Sequence, residues 1–142
     1  PEYRGIGSVN FALYNNSKYY GSTAHLISKQ IDYGKIIDIK KFRIPKSYGI
    51  EECLQKTYSL MYKQAKKIIF KIFDGSAEFK YMKNSKKIWS NKISKKSDLE
   101  KLYEIKKNVN EKELKKLLRA TVTKKFKPFI RFYGKKFVLM NE

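Results

Sequence analysis

The chain has 142 residues, enough for one compact domain or for part of a larger one with a small appendage. Hydrophobic residues make up 42% and aromatic residues 15%, which excludes an unfolded chain of low hydropathy. No apolar run reaches the roughly eighteen residues needed for a membrane helix, and no basic-then-apolar leader opens the sequence. The formal charge of +20 raises nucleic acid or an anionic membrane as a partner.

In chain order, Pro1–Gly7 reads as a loop. Ser8 is placed to cap a short helix over Ser8–Tyr14, which Asn15 and Asn16 end. Gly21 precedes a strand over Ser22–Ile27, and a second strand follows over Lys35–Ile44. Apolar residues on both faces of that second strand (Ile37 and Ile39 against Ile36, Phe42 and Ile44) suggest an α/β sheet covered on both sides. The spacing predicts a long helix over Ile50–Phe73 with Leu54, Tyr58, Met61, Ala65, Ile68 and Ile72 on one apolar stripe, read as a core face. Gly75 stops it.

The organisation changes after Gly75, with a boundary near residues 75–87 that divides the chain into 1–75 and a small α+β part over 76–142. Phe79–Met82 reads as a short strand, followed by the polar run Lys83–Lys87. Ser97-Asp98-Leu99-Glu100 is a capping box for a short helix, and Asn110 caps a second helix ending near Ala120. Phe129–Tyr133 and Lys135–Met140 form a hairpin around Gly134. The single cysteine, Cys53, cannot form an internal disulfide and fits a reduced, packed thiol in a cytoplasmic protein.

Charge gives an ambiguous partner. Only four of the 33 basic residues are arginine (Arg4, Arg43, Arg119 and Arg131), whereas phosphate and base-edge recognition leans on the guanidinium fork. The lysines are spread along the chain, often paired, as in Lys66–Lys67, Lys86–Lys87 and Lys115–Lys116. Either they form a solvated surface or they provide a basic face for nucleic acid or a phosphorylated substrate. One such face would be Lys115, Lys116, Lys124, Lys125, Lys127 and Arg131 interleaved with Phe126, Phe129 and Phe132, the pattern of a non-enzymatic single-strand binder.

The residues with chemistry to offer are His25, the only histidine, and Asp32, seven residues on across a tight bend. An aspartate beside a histidine suits proton transfer at the end of a strand. Equally, Asp32 could start a turn before Gly34 while His25 packs as a satisfied strand residue.

A longer pattern embeds this pair. His25-Leu26-Ile27-Ser28-Lys29-Gln30-Ile31-Asp32-Tyr33-Gly34-Lys35-Ile36-Ile37 resembles the strand-H-x5-(L/I/V)-D-x-G-x-I-I loop of folate-dependent formyltransferases. Pro1-Glu2-Tyr3-Arg4-Gly5 and Ala12-Leu13-Tyr14-Asn15-Asn16 match two further segments of that family, in order. The resemblance covers about residues 1–75 and implies the C-terminal half of a Rossmann-like catalytic domain. It implies transfer of a formyl group from 10-formyl-tetrahydrofolate to an amine, through a tetrahedral intermediate, with no metal. Asp32 takes the catalytic position, His25 a supporting one, and the loop Ile27, Ser28, Lys29, Gln30 and Ile31 the contact with the pterin ring. The family's principal Asn-x-His pair corresponds to a position just before Pro1. The expectation is therefore a C-terminal portion of an enzyme, inactive alone.

The tail, Ile88-Trp89-Ser90 through Asp98-Leu99 and then Leu117-Leu118-Arg119-Ala120-Thr121, resembles the small C-terminal domain of tRNA and sugar formyltransferases. There is room for only a few strands after it. The resemblance thus favours a nucleotide-linked amino sugar as substrate, with methionyl-tRNA as the alternative and nucleic acid a partner only in that case. It admits a homodimer and no membrane. Arg119 is read as a residue tying its helix to the hairpin.

Overall fold

A computed structural model describes residues 1–76 and 89–140. In chain order the elements are β1 (Arg4–Gly5), α1 (Ser8–Tyr14), β2 (Tyr19–His25), β3 (Ile36–Arg43), α2 (Ile50–Phe73), β4 (Ile93–Ser94), α3 (Lys96–Tyr103), α4 (Glu111–Thr121), β5 (Phe129–Phe132) and β6 (Lys135–Val138). The strand expected over Phe79–Met82 and the polar run Lys83–Lys87 lie outside the described residues.

Among the described residues the strands form three two-stranded sheets: β1 parallel with β4, β2 antiparallel with β3, and β5 antiparallel with β6. This mixed α/β arrangement is the expected fold class. The segment read as a loop, Pro1–Gly7, contains β1. A two-residue parallel pair with a partner far along the chain leaves no periodicity to read. Gly5, at φ 84°, passes so near β4 that a Cβ there would lie 2.3 Å from the Ser94 carbonyl oxygen.

The core gathers around α1. Val9 and Leu13 pack with Ile44, with Ile50 and Cys53 at the start of α2, and with Ala120 of α4. Burying a side chain such as Leu13 stabilises by about 1.5–3 kcal/mol. Polar bonds fasten the same seam. Asn10 donates its side-chain amide to the Ala120 carbonyl at 2.7 Å, satisfying a backbone oxygen that the end of α4 leaves without a helical partner. Tyr14 donates to Glu113 across the same interface.

α2 occupies the expected residues, and Gly75 at φ 72° follows it, but the predicted stripe is not its buried face. Tyr58, Met61, Ala65 and Ile72 are exposed, and Leu54 and Ile68 only half-buried. The buried line is Ile50, Cys53, Thr57 and Gln64, because β2, α1 and α4 meet the helix on that side. Gln64 accepts from Ser22 at 2.6 Å and donates to Asp38 at 3.1 Å, so polar bonds hold the helix to the β2–β3 hairpin. In β3, Ile36 is buried while Ile37, Ile39 and Phe42 are half-buried. Double coverage of this strand is not reached among the described residues.

Three caps differ in kind. Ser8 bonds the Tyr20 hydroxyl at 2.7 Å instead of capping α1. α3 starts one residue before Ser97, with Asp98 accepting from the Lys95 amide at 2.9 Å. Asn110 caps α4 as its sequence predicts, accepting from the Glu113 amide at 2.9 Å. Arg119 is a structural tie, though to a different partner than expected: it donates to the Tyr48 and Pro45 carbonyls at 2.9 and 3.0 Å, before α2, and not to the hairpin.

Candidate active site

β2 ends at His25, where the ladder with β3 slips register, and the chain bends through residues 26–35 before β3 begins. The bend depends on Gly34. A Cβ there would lie 1.6 Å from the Leu26 carbonyl oxygen and 2.9 Å from His25 Nδ1, so only a residue without a side chain allows the two limbs to close. Asp32 sits at φ 52°, in the left-handed region that aspartate and asparagine tolerate better than other residues bearing a Cβ.

This folding brings His25 and Asp32 together. His25 Nε2 stands 3.9 Å from Asp32 Oδ1, and both side chains are partly open to solvent. The other carboxylate oxygen, Oδ2, accepts from the Gly5 amide at 3.2 Å, which fixes the carboxylate plane. His25 Nδ1 lies 2.8 Å from the Leu26 carbonyl oxygen. A carbonyl can only accept, so Nδ1 carries the hydrogen. In the neutral ring that leaves the Nε2 lone pair facing Asp32.

The pair opens onto a cleft of about 540 Å³ between the N-terminal segment, β2 and the middle of α2. Tyr20, Ser22 and Met61 contribute to its walls, and Lys18, Lys40 and Lys41 bring positive charge. Lys41 is ion-paired with Glu2, and Lys40 with Asp38 at 3.6 Å. Burial raises the Tyr20 hydroxyl above its ordinary value, partly offset by its bond to Ser8, so it stays a neutral hydrogen-bonding group.

The loop 27–31 stands apart from the packed bend. Ile27 is 98% exposed and Ile31 85% exposed, while Ser28 Oγ donates to the Gln30 carbonyl at 2.7 Å and stiffens the tip. Lys29 and Gln30 also face solvent.

Arg4, Gly5 and Trp89 were not legible as site residues. The Arg4 side chain donates to the Ser90 carbonyl at 2.7 Å and reaches the Ile31 carbonyl at 3.4 Å. Its guanidinium also lies over the rings of Tyr33 and Trp89. Trp89 donates Nε1–H to the Gly34 carbonyl at 2.7 Å, and its ring meets His25 edge to face at 5.0 Å. The available signals were that Arg4 and Gly5 fall in one family-like segment and Trp89, the only tryptophan, in another.

Of the basic aromatic platform, Phe126 and Phe132 are exposed and Phe129 is not. Lysines cover the ring faces: Lys136 over Phe129, Lys125 over Phe126 and Lys107 over Phe132. Lys115 and Lys116 are paired with Glu111 and Glu113. Among the described residues, no helix is long and apolar enough to cross a membrane.

No family model and no curated protein matches the chain by sequence. Solved structures do match its shape. A 4-N formyltransferase from Francisella tularensis superposes on 100% of this chain and 58% of its own, with TM-score 0.80 and 22% identity. A sugar N-formyltransferase from a Shewanella species covers 98% of this chain and 56% of its own, with TM-score 0.79 and 20% identity. An N-formyltransferase from Helicobacter canadensis, in complex with folinic acid and dTDP-3-aminofucose, covers 94% and 48%, with TM-score 0.69 and 24% identity. The chain thus spans less than three fifths of the length of these proteins. Over that span, this chain has the fold of the sugar N-formyltransferases.

Proposed function

We propose that the protein carrying this chain transfers a formyl group from 10-formyl-tetrahydrofolate to the amine of a nucleotide-linked amino sugar. One observation carries the reading: a carboxylate, oriented by the Gly5 amide, faces an imidazole whose other nitrogen is already committed to a carbonyl. Amine attack on a formyl carbon needs a group that removes a proton from the nitrogen as the bond forms and one that returns it to the leaving group. His25 Nε2, beside Asp32, is placed to hold such a proton at the mouth of the cleft. Asp32 places a carboxylate beside that nitrogen, while the Leu26 carbonyl holds the other.

The folate fits the exposed loop. Ile27 and Ile31 leave apolar surface in water that the flat face of a pterin would cover, with Ser28, Lys29 and Gln30 between them to meet its polar edge. When bound, the cosubstrate supplies the formyl carbon. Lys18 on the cleft wall suits a phosphate of a nucleotide sugar. The oxyanion-stabilising Asn-x-His pair that the family resemblance implies belongs to the part of the fold that this chain does not span. In this reading the 142 residues alone transfer no formyl group, residues 1–75 belong to the catalytic domain, and 76–142 form the small C-terminal domain of a cytoplasmic enzyme, with a homodimer allowed.

The test is formyl transfer by the full-length protein from 10-formyl-tetrahydrofolate to a panel of nucleotide-linked amino sugars, alongside Asp32→Asn. Asparagine keeps the left-handed backbone and an oxygen for the Gly5 amide, so the substitution removes charge with little else. Turnover is expected to fall about 10²–10⁴-fold with an unchanged melting temperature. Near-normal turnover in that variant sinks the assignment.

A further inference from the structure

Trp89 makes two contacts with the bend, and both lead to the same imidazole. Its Nε1–H holds the Gly34 carbonyl at 2.7 Å. Gly34 is in turn pressed against the Leu26 carbonyl with no space for a methyl group. That carbonyl accepts from His25 Nδ1, at 2.8 Å, and so decides which ring nitrogen carries the hydrogen. The indole also meets the imidazole directly, edge to face at 5.0 Å, and limits its rotation about the side-chain bond.

Trp89 is itself held from behind. Arg4, only 3% exposed, donates to the carbonyl of the adjacent Ser90 at 2.7 Å and lays its guanidinium 5.8 Å from the Trp89 ring centre. The same guanidinium reaches the Ile31 carbonyl at 3.4 Å, one residue before Asp32. Among the described residues its hydrogen bonds go to two carbonyls, one in each segment, and its Nε has no partner. A buried cation so placed is costly unless its environment is fixed, and the environment it fixes is the junction of residues 31–33 with 89–90.

We infer that Trp89, backed by Arg4, is a positioning residue that sets the tautomer and orientation of His25, so that the segment following α2 completes the proton-handling pair. The inference rests on the reading of His25 and Asp32 as that pair. It makes Trp89 and Ser90 part of the site and not merely the entry to an appended domain.

The experiment is long-range ¹H–¹⁵N NMR of histidine rings in the full-length protein, with His25 assigned by its loss in His25→Gln. In the parent protein the neutral ring is expected as the Nδ1–H form. In Trp89→Ala the Nε2–H form, the commoner one for a free imidazole, should become the major species, and kcat should fall about ten- to a hundredfold while both KM values stay within about twofold. Trp89→Phe keeps a ring and loses only the donor. It should give a mixture of tautomers and a kcat lower by about fivefold, the factor that one neutral hydrogen bond is worth. If Trp89→Ala does not fold, Trp89→Phe decides. An unchanged tautomer and an unchanged kcat in a folded variant overturn the inference. A shifted tautomer in a protein without formyl transfer upholds the positioning and rejects the formyl reading. An active Asp32→Asn enzyme whose His25 still responds to Trp89 does the same.

Discussion

The seam between α1 and α4 and the bend between β2 and β3 lie close in the fold and follow opposite rules. At the seam, Ala12, Leu13, Ala120 and Thr121 are 0–1% exposed, and the polar groups among them are bonded. Each residue there is explained by what it touches. At the bend, apolar side chains stand in solvent, an aspartate adopts a left-handed backbone, and a histidine faces a carboxylate without closing the hydrogen bond. Packing does not explain those choices, and a ligand would. The contrast separates residues that build the molecule from residues that serve its chemistry.

Substitutions can break that contrast. The largest stability effect should come from Leu13→Ala, which empties the centre of the seam and costs about 2–5 kcal/mol in urea unfolding. A loss near zero would mean that the seam is not the core. Next is Asn10→Ala, which leaves the Ala120 carbonyl buried without its donor. About 1–3 kcal/mol should be lost, and a neutral result would show that water takes the place of the amide. The double change Ile27→Ser with Ile31→Ser should leave the melting temperature within a degree or two, because both side chains are already in solvent. It should weaken folate binding in a titration, and undiminished affinity removes the loop from the pterin site.

The smallest effect is one of pH. The hydrogen bond from Tyr14, followed by Lys116, holds the Glu113 carboxyl below its ordinary value of 4.5. A carboxyl held down in the folded state stabilises above its unfolded value, and that contribution disappears as pH falls from about 4.5 through the lower folded value. Glu113→Gln should therefore flatten the acid side of the stability curve. The same bond raises the Tyr14 hydroxyl, so its contribution is full below about 10 and is lost only at higher pH. Acid melting curves that coincide for parent and variant would remove this link from the seam.

What the sequence revealed follows the same division. The extents of α1 and α2 agree with the sequence reading, although Ser8 does not cap α1. The buried face of α2 was misread because an apolar stripe states only what could be buried, while β2, α1 and α4 decide what is. The pairing of His25 with Asp32 was legible because one short bend contains both. Arg4, Gly5 and Trp89 reach the site from separate segments, and only the parallel pairing of β1 with β4 delivers them. No spacing rule could have grouped them.

Trp89 gives the bend an optical signature. Excited at the red edge of its absorption, beyond that of the eleven tyrosines, the single indole of the chain reports by its emission from one address, touching the single imidazole. Denaturation followed by that emission tracks the bend, whereas far-ultraviolet dichroism tracks the helices. Two curves that coincide would show that chemistry and scaffold melt as one cooperative unit; curves that separate would give each its own free energy.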